Sequence, residues 1–153
     1  MRAASEFMEY SQPGANDLLQ EYFIPLDQFD SFVQRLGAIV QEHELNLLNV
    51  TIRYVNKDEE AMLSYAKDDM LALVCLFHSS LSAKGQEKMG NGIRQIIDEA
   101  IRHNGSYYLP YIAYPTKEQF QAAYDNYLLF FEKKAEYDPD GLFMNYFYEQ
   151  YQP

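Results

Sequence analysis

An unbroken apolar run near the middle of the chain, MLALVCLF over residues 70–77, limits the possible folds more than any other feature. A strand exposed on one face alternates polar and apolar residues, whereas a strand covered on both faces is apolar at every position. The run therefore predicts a strand in the interior of a sheet, with a neighbouring strand on each side. The other elements have to be arranged around it.

The remaining elements follow from hydrophobic spacing and from residues that favour turns. Three further strands are predicted at 18–24, 45–56 and 106–113. Apolar stripes at helical spacing predict helices at 28–44, along Met89 to Ile101, and at 116–135, with a short helix around 59–67. Thr116 and Gln119 form a capping box at the start of the last long helix, and Asp138-Pro139 ends it. Gly105 is placed near the cap that ends the second helix.

This order of elements is βαββαβ with an added C-terminal helix, which is typical of an α+β, ferredoxin-like sandwich. Helices would cover one face of an antiparallel sheet, while the other face stays open. Residues 1–17 are interpreted as a lead-in segment, and 18–153 as a single domain.

Charge and composition exclude several classes of function. The net charge is −11, with 12 basic against 23 acidic residues, so a negative field repels nucleic-acid backbones. Cys75 is the one cysteine, and no signal peptide or apolar stretch of membrane-spanning length is present, which predicts a cytoplasmic protein. His43, His78 and His103 fall in different elements without metal-ligand spacing, so no metal site is expected.

Two strands carry the candidate site. In the second strand, Asn49, Thr51 and Arg53 point away from the helices, and a charge such as Arg53 needs a partner if it is buried. The fourth strand lies in the segment GSYYLPYIAYP (105–115), where Tyr107 and Tyr111 would share one face and Tyr108 the other. These tyrosines form either the aromatic edge of a core or the wall of a small-molecule site. In the ferredoxin-like order 4-1-3-2 the two strands lie at opposite edges, about 14 Å apart.

Four segments resemble a known family in order along the chain: QEYFIPLDQF, LLNVTIRYVNKD, SYYLPYIAYPTKEQFQAAY and YDPDGLFMNYFYEQY. Together they are similar to the C-terminal substrate (cap) domain of FAD-linked oxidases of the vanillyl-alcohol-oxidase superfamily, nearest to the aldonolactone and alditol oxidases. The most specific part is an Asp-Pro-x-Gly-x-Phe-x-Asn run after a long helix, here Asp138, Pro139, Gly141, Phe143 and Asn145.

The resemblance implies a function for the open face of the sheet. In that family the sheet lies over the flavin ring, and a separate N-terminal domain holds most of the FAD. The pair would oxidise a C–OH group of a sugar, lactone or polyol by hydride transfer to the flavin. This chain alone would be inactive and colourless, and its partners would be the FAD-binding domain and the small-molecule substrate.

The resemblance also assigns roles to individual residues. The family's Glu-x-Arg motif in the second strand corresponds to Thr51-Ile52-Arg53, and a substrate-binding lysine of the alditol oxidases corresponds to Tyr111. Arg53 and Tyr111 are therefore expected to be catalytic. Substrate binding is expected from Thr51, Asn49, Tyr108 and Glu21, and Asn145 is expected to approach the flavin.

A second hypothesis stays open from the residues alone. A free-standing ferredoxin-like module could bind a small molecule, or form a dimer, through the same open face. The two hypotheses differ in the presence of an FAD-binding partner domain.

Overall fold

The apolar run 70–77 forms an interior strand of a four-stranded antiparallel sheet, as predicted. The structure is a computed structural model that describes residues 14–153. Its strands are β1 (Ala15–Pro25), β2 (Asn46–Val55), β3 (Met70–Ser80) and β4 (Ser106–Tyr107). Their order across the sheet is β2-β3-β1-β4, so the ferredoxin-like arrangement is confirmed.

Within residues 14–153, five α-helices complete the fold. They are α1 (Phe29–Glu42), α2 (Ala83–Arg102), α3 (Lys117–Ala123), α4 (Tyr127–Tyr137) and α5 (Tyr146–Tyr151). A short 3-10 helix, Leu26–Gln28, links β1 to α1. The α+β class with C-terminal additions is therefore confirmed. Within the described residues, none of these helices combines the length and apolarity that crossing a membrane requires.

The main core lies between the sheet and the helices. The apolar stripes of α1 and α2 supply Phe32, Ile39, Ile93 and Ile97, which are fully buried. They belong to one cluster with side chains that alternate along the sheet, Tyr22, Leu73, Cys75 and Phe77. The period-2 pattern of the strands therefore separates this core from the opposite face of the sheet.

The fourth strand is much shorter than predicted. β4 contains two residues, Ser106 and Tyr107, which pair with Phe23 and Tyr22 of β1. The N–H of Tyr108 still bonds the carbonyl of Glu21 at 3.0 Å, and the chain then turns at Leu109-Pro110. Proline has no N–H to donate to a strand ladder, which accounts for the early end.

The prediction of a short helix around 59–67 was wrong. Asp58 accepts the N–H groups of Glu60 and Ala61, which forms a turn instead of a first helical turn. Further along, Tyr65 and Ala66 pack inward, with Ala66 fully buried. Residues 56–69 therefore form an irregular segment, which we call the strap.

The helix predicted at 116–135 is two helices. The capping box of Thr116 and Gln119 is present, and the chain leaves helical geometry at Tyr124 before α4 begins. Tyr124 is held there because its hydroxyl donates to the carbonyl of Tyr107. The end of α4 at Tyr137, just before Asp138, agrees with the prediction.

Other boundaries and faces needed smaller corrections. β1 begins at Ala15, inside the predicted lead-in, and residues 1–13 of that segment lie outside the described residues. Residues of β2 that alternate with Asn49, Thr51 and Arg53 should face the helices, but Leu48, Ile52 and Tyr54 are each about half exposed. A β-bulge between Leu47 and Asn49 displaces Leu48, and Ile52 and Tyr54 lie on the edge strand beyond the helix layer.

Gly105 lies near the C-terminal cap of α2, as predicted, where its N–H bonds the carbonyl of Ala100 at 2.8 Å, and it has a second structural role. The left-handed residue that ends α2 is Asn104, with φ +57°. A Cβ on Gly105 would lie 2.5 Å from the carbonyl oxygen of Phe23 and 3.0 Å from that of Ala100. Gly105 is therefore needed because the backbones of β1 and α2 approach each other closely there.

Candidate functional site

The face of the sheet that points away from α1 and α2 holds the candidate site, and we call it the open face. Cross-strand register assigns its residues, because partners on neighbouring strands point to the same side. Arg53 lies opposite Ala72, Thr51 and Glu21 lie opposite Val74, and Phe23 lies opposite Ala72 and Ser106. The open face therefore carries Leu19, Glu21, Phe23, Asn49, Thr51, Arg53, Ala72, Val74, Leu76 and Ser106.

Glu21 and Arg53 form an ion pair at the centre of this face. The Nε and Nη2 atoms of Arg53 both donate to Oε1 of Glu21, with an Nε–Oε1 distance of 3.1 Å. The side chain of Glu21 is 1% exposed, whereas that of Arg53 is 58% exposed. The carboxylate is therefore buried under its own counterion, which offsets the cost of removing it from water.

The pair spans the width of the interior strand. Arg53 is on β2 and Glu21 on β1, so the guanidinium group crosses β3 between them. The register places Ala72 beside Arg53 and Val74 beside Glu21 at this crossing. The small Ala72 side chain leaves room for an arginine to lie across the strand, and Ala72 is itself fully buried.

Tyr111 reaches the same cluster from the far edge of the sheet. The turn at Leu109-Pro110 places its ring 5.1 Å from that of Tyr108, centroid to centroid, in an edge-to-face arrangement. The expectation that Tyr107 and Tyr111 share a face was therefore wrong, since Tyr107 is buried in the helix-side core. This turn shortens the separation that a regular strand would impose between Tyr111 and Arg53.

Electrostatics shows that Tyr111 belongs with the ion pair. Its pKa is raised above the ordinary value, first because the phenol is partly removed from water and then because Glu21 and Tyr108 are close. The pKa of Arg53 is raised chiefly by its hydrogen bond to Glu21, with Tyr111 and Tyr65 adding to the effect. At neutral pH the cluster therefore holds a charged arginine and a protonated phenol.

Tyr65 belongs to the site but was not among the predicted site residues. Its ring stacks on Phe23 at 4.2 Å and meets the edge of Tyr108 at 5.7 Å. The hydroxyl of Ser106 donates to the backbone carbonyl of Tyr65 at 2.5 Å, which fixes the strap on the open face. In the sequence, Tyr65 fell inside the wrongly predicted short helix, and no spacing linked it to the sheet.

The other predicted site residues lie at different distances from the cluster. Thr51 is exposed and neighbours Arg53 on the same face of β2, and Asn49 lies one further step along that strand. Tyr108 is in the cluster itself. Asn145 is elsewhere: its side chain caps α5 by accepting the N–H of Tyr148, and α5 packs against α3 in the helix layer. The structure therefore gathers Glu21, Arg53, Tyr108 and Tyr111, and leaves Asn145 apart.

The described residues do not fit a complete site for FAD. A pyrophosphate needs several unoccupied backbone N–H groups, which a helix N-terminus commonly provides. Side chains cap α2, α3 and α5, through Ser82, Thr116 and Asn145, whereas α1 and α4 have no side-chain cap. The open face could cover a flavin ring, but α1 and α2 lie on the other side of the sheet, so neither of their N-termini offers a pyrophosphate cradle on this face.

Metal chemistry and comparisons with known proteins add no further assignment. In the part of the chain from residue 14 onward, no group of three His, Cys, Asp or Glu side chains is placed to hold a metal ion. No model of a known protein family matches this chain, and a search of curated proteins finds no significant match.

Proposed function

We propose that this chain is the substrate-binding domain of an FAD-dependent oxidoreductase that oxidises a C–OH group. The ion pair of Glu21 and Arg53, built into the open face, is the observation that carries the proposal. A separate FAD-binding domain, on the same polypeptide or another, holds the cofactor against this face. The resemblance of the chain to cap domains of FAD-linked oxidases supports the same assignment.

The pair supplies a fixed donor at the surface of a sheet. Glu21 engages Nε and Nη2 of Arg53, and no described residue bonds Nη1, so its N–H groups are available to a ligand. A positive group held by a buried carboxylate cannot move far, and such preorganised donors stabilise charge that develops during a reaction. Arg53 would bind the oxygen of the substrate or offset negative charge on the reduced cofactor.

Tyr111 and Tyr108 supply the rest of the binding surface. A protonated phenol donates a hydrogen bond, and its ring offers an apolar face to the C–H groups of a ligand. Thr51 and Asn49 extend the polar surface along β2. The arrangement suits a neutral, hydroxylated small molecule that lies between the sheet and the flavin.

The test uses the full polypeptide encoded by the region that contains this sequence. We expect it to include an FAD-binding domain and to be reduced anaerobically by aldonolactones or alditols, followed as bleaching of the flavin. Arg53→Met is expected to slow reduction at least ~10-fold, since removing one oriented donor costs that much or more. Glu44→Gln, an exposed substitution outside the open face, serves as the control.

Two outcomes would contradict this proposal. The encoded polypeptide could contain no FAD-binding domain and bind no flavin from a second chain. Alternatively, the flavin of the Arg53→Met variant could be reduced by substrate as fast as that of the unmodified protein.

A second candidate function is supported by an apolar band on the same face. Leu19 is 39% exposed, and Val74 and Leu76 beside it are half-buried. These side chains would suit a module that dimerises through the open face. Size-exclusion chromatography with light scattering tests it: a stable dimer that Leu19→Lys dissociates would favour this candidate, and a monomer would reject it.

A further inference from the structure

A small, half-open apolar cavity lies at the β4 edge of the sheet, between the strap and the turn that follows β4. Its volume is about 200 Å³, and its lining residues are Leu63, Tyr65, Tyr108, Leu109, Pro110 and Tyr124. We call it the tyrosine cavity. The proposed function uses Tyr108 from its wall but assigns no role to the cavity itself.

The walls of the tyrosine cavity are already held in place. Tyr65 is fixed by its stacking on Phe23 and by the Ser106 bond to its carbonyl. Tyr124 is fixed by the bond from its hydroxyl to the Tyr107 carbonyl, and Tyr108 by the backbone bond from its N–H to Glu21. Lys67 pairs with Asp125 at 3.0 Å and so ties the strap to the chain beyond α3. Preformed apolar walls are typical of small-molecule sites.

The volume and the lining indicate the class of ligand. An apolar cavity of roughly 150 Å³ is enough to hold benzene. Aromatic side chains accept a flat ring by edge-to-face or offset contacts. The tyrosine cavity therefore matches one six-membered ring in size and in chemistry.

The cavity and the ion pair share a wall. Tyr108 lines the cavity, and its ring also contacts Tyr111 at 5.1 Å. Tyr65, on the strap side, is close enough to Arg53 to interact with it electrostatically. Tyr108 therefore stands between a ring bound in the cavity and Tyr111 of the ion-pair cluster.

We infer that the tyrosine cavity binds the ring of the ligand, and that the protein takes a neutral alcohol that carries a six-membered aryl or alicyclic group. The role of the hydroxyl at Arg53 rests on the proposed function, whereas the ring site stands on the cavity alone. The inference narrows the substrate from any polyol to one with an apolar ring.

The experiment measures binding to the isolated chain, residues 1–153, without flavin. Benzyl alcohol and glycerol are titrated separately into ¹⁵N-labelled protein, and amide shifts are followed by NMR. We expect saturable shifts with benzyl alcohol at residues 63–65, 108–109 and 124. Glycerol has hydroxyls without a ring and should bind at least ~10-fold more weakly, since a ring buries several apolar carbons.

Filling variants show where the ring binds. Leu109→Trp, or the smaller change Leu63→Phe, should weaken benzyl alcohol at least ~10-fold by occupying the space. Leu128→Trp introduces the same indole at an exposed position of α4 and should leave binding unchanged. Circular dichroism and thermal melting confirm that each variant is folded.

Three results would overturn the inference: no saturable shift with benzyl alcohol, equal affinity for glycerol, or an unchanged affinity in both folded filling variants. Failure of the proposed function is a separate result. It would appear as absence of flavin reduction in the full polypeptide, which these binding measurements do not involve.

Discussion

At the residue scale, the ion pair of Glu21 and Arg53 shows how a strand arginine can be accommodated on a sheet face. Half of the arginine stays in water, while the carboxylate gives up its hydration and receives two N–H bonds in return. Such a pair contributes less than a fully buried one because solvent screens its exposed member. It still exceeds an ordinary surface pair, since one partner is buried.

A double-mutant cycle measures this contribution. Glu21→Gln, Arg53→Met and the double variant are unfolded in urea, and the coupling free energy is expected to be about 1–2 kcal/mol. The reference is the pair Lys88–Glu44, 3.1 Å apart with both side chains exposed. Its coupling should stay below about 1 kcal/mol. Equal coupling in the two cycles would mean that the buried carboxylate adds nothing.

The sequence predicts that Arg53 needs an acidic partner. It does not predict which other side chains surround the pair. A strand arginine that is partly buried needs an opposite charge, and Glu21 lies on a strand that the pattern identifies. Tyr65 could not be predicted, because its contacts depend on an irregular strap whose path is determined by packing on Phe23. Tyr111 reaches the cluster through the turn at Leu109-Pro110. The sequence pattern had predicted a continuous strand there.

At the scale of elements, the ends of α2 and α4 decide how the helices meet the sheet. Asp138 follows the last turn of α4, where Lys134 bonds its carboxylate. The same carboxylate accepts the N–H groups of Leu142 and Phe143 at 2.8 and 3.0 Å. These bonds join α4 to the segment that leads into α5. The hydrogen bond from Lys134, followed by that from Phe143, lowers the pKa of Asp138 below its ordinary value.

The lowered pKa of Asp138 predicts a pH-dependent stability. A carboxyl whose pKa is lower in the folded state stabilises the protein above its unfolded pKa of about 3.9, and the contribution is lost as the pH falls through the folded value. Asp138→Asn should therefore lower the free energy of unfolding at pH 7, and the difference from the unmodified protein should shrink below about pH 4.

Urea unfolding at a series of pH values checks this, with the exposed Asp140→Asn as the control. A constant difference across the whole pH range would contradict the role of the Asp138 carboxylate.

Close packing at the end of α2 can be tested by substituting Gly105, with Gly37 in α1 as the matched control. Gly105→Ala places a Cβ against backbone oxygens of Phe23 and Ala100, which cannot move independently of β1 and α2. We expect it to lower the free energy of unfolding by about 2 kcal/mol or more, as steric overpacking does. Gly37→Ala, in the exposed interior of α1 with open space around it, should raise stability by about 0.5–1 kcal/mol.

Thermal and urea unfolding of both variants would measure these changes. A stabilising effect of the alanine at position 105 would show that β1 and α2 can separate without cost.

The pattern-based elements succeeded where hydrophobic spacing is long and regular. The interior strand β3 and the helices α1 and α2 follow from such spacing, and the strand order follows from the βαββαβ order of the elements. Prediction failed at 59–67 and 106–113, where side-chain hydrogen bonds and a proline outweigh local periodicity. The sequence also predicted α3 and α4 as one helix, because the apolar stripe continues across the break between them. The hydrogen bond of the Tyr124 hydroxyl maintains that break.

At the scale of the whole molecule, one side of the sheet is buried by helices and the other carries the ion pair, the tyrosines and an apolar band. This division predicts that the chain needs a second body to complete a flavin site. The isolated chain, purified after expression, is expected to show no visible flavin absorbance, and adding FAD should leave its amide NMR shifts unchanged. Stoichiometric bound flavin would contradict the prediction, because it would require a pyrophosphate cradle within this chain.

The small side chain at position 72 has a consequence for how related sequences could be recognised. The three residues that build the ion pair and its floor, Glu21, Arg53 and Ala72, come from three strands and are separated by long stretches of chain. A linear motif cannot describe three positions so far apart in the sequence. They still depend on one another, because a larger residue at 72 would lift the guanidinium group of Arg53 off the sheet. Proteins with the same arrangement would therefore share a covarying triplet, and an alignment scored on that triplet would detect them where overall similarity has disappeared.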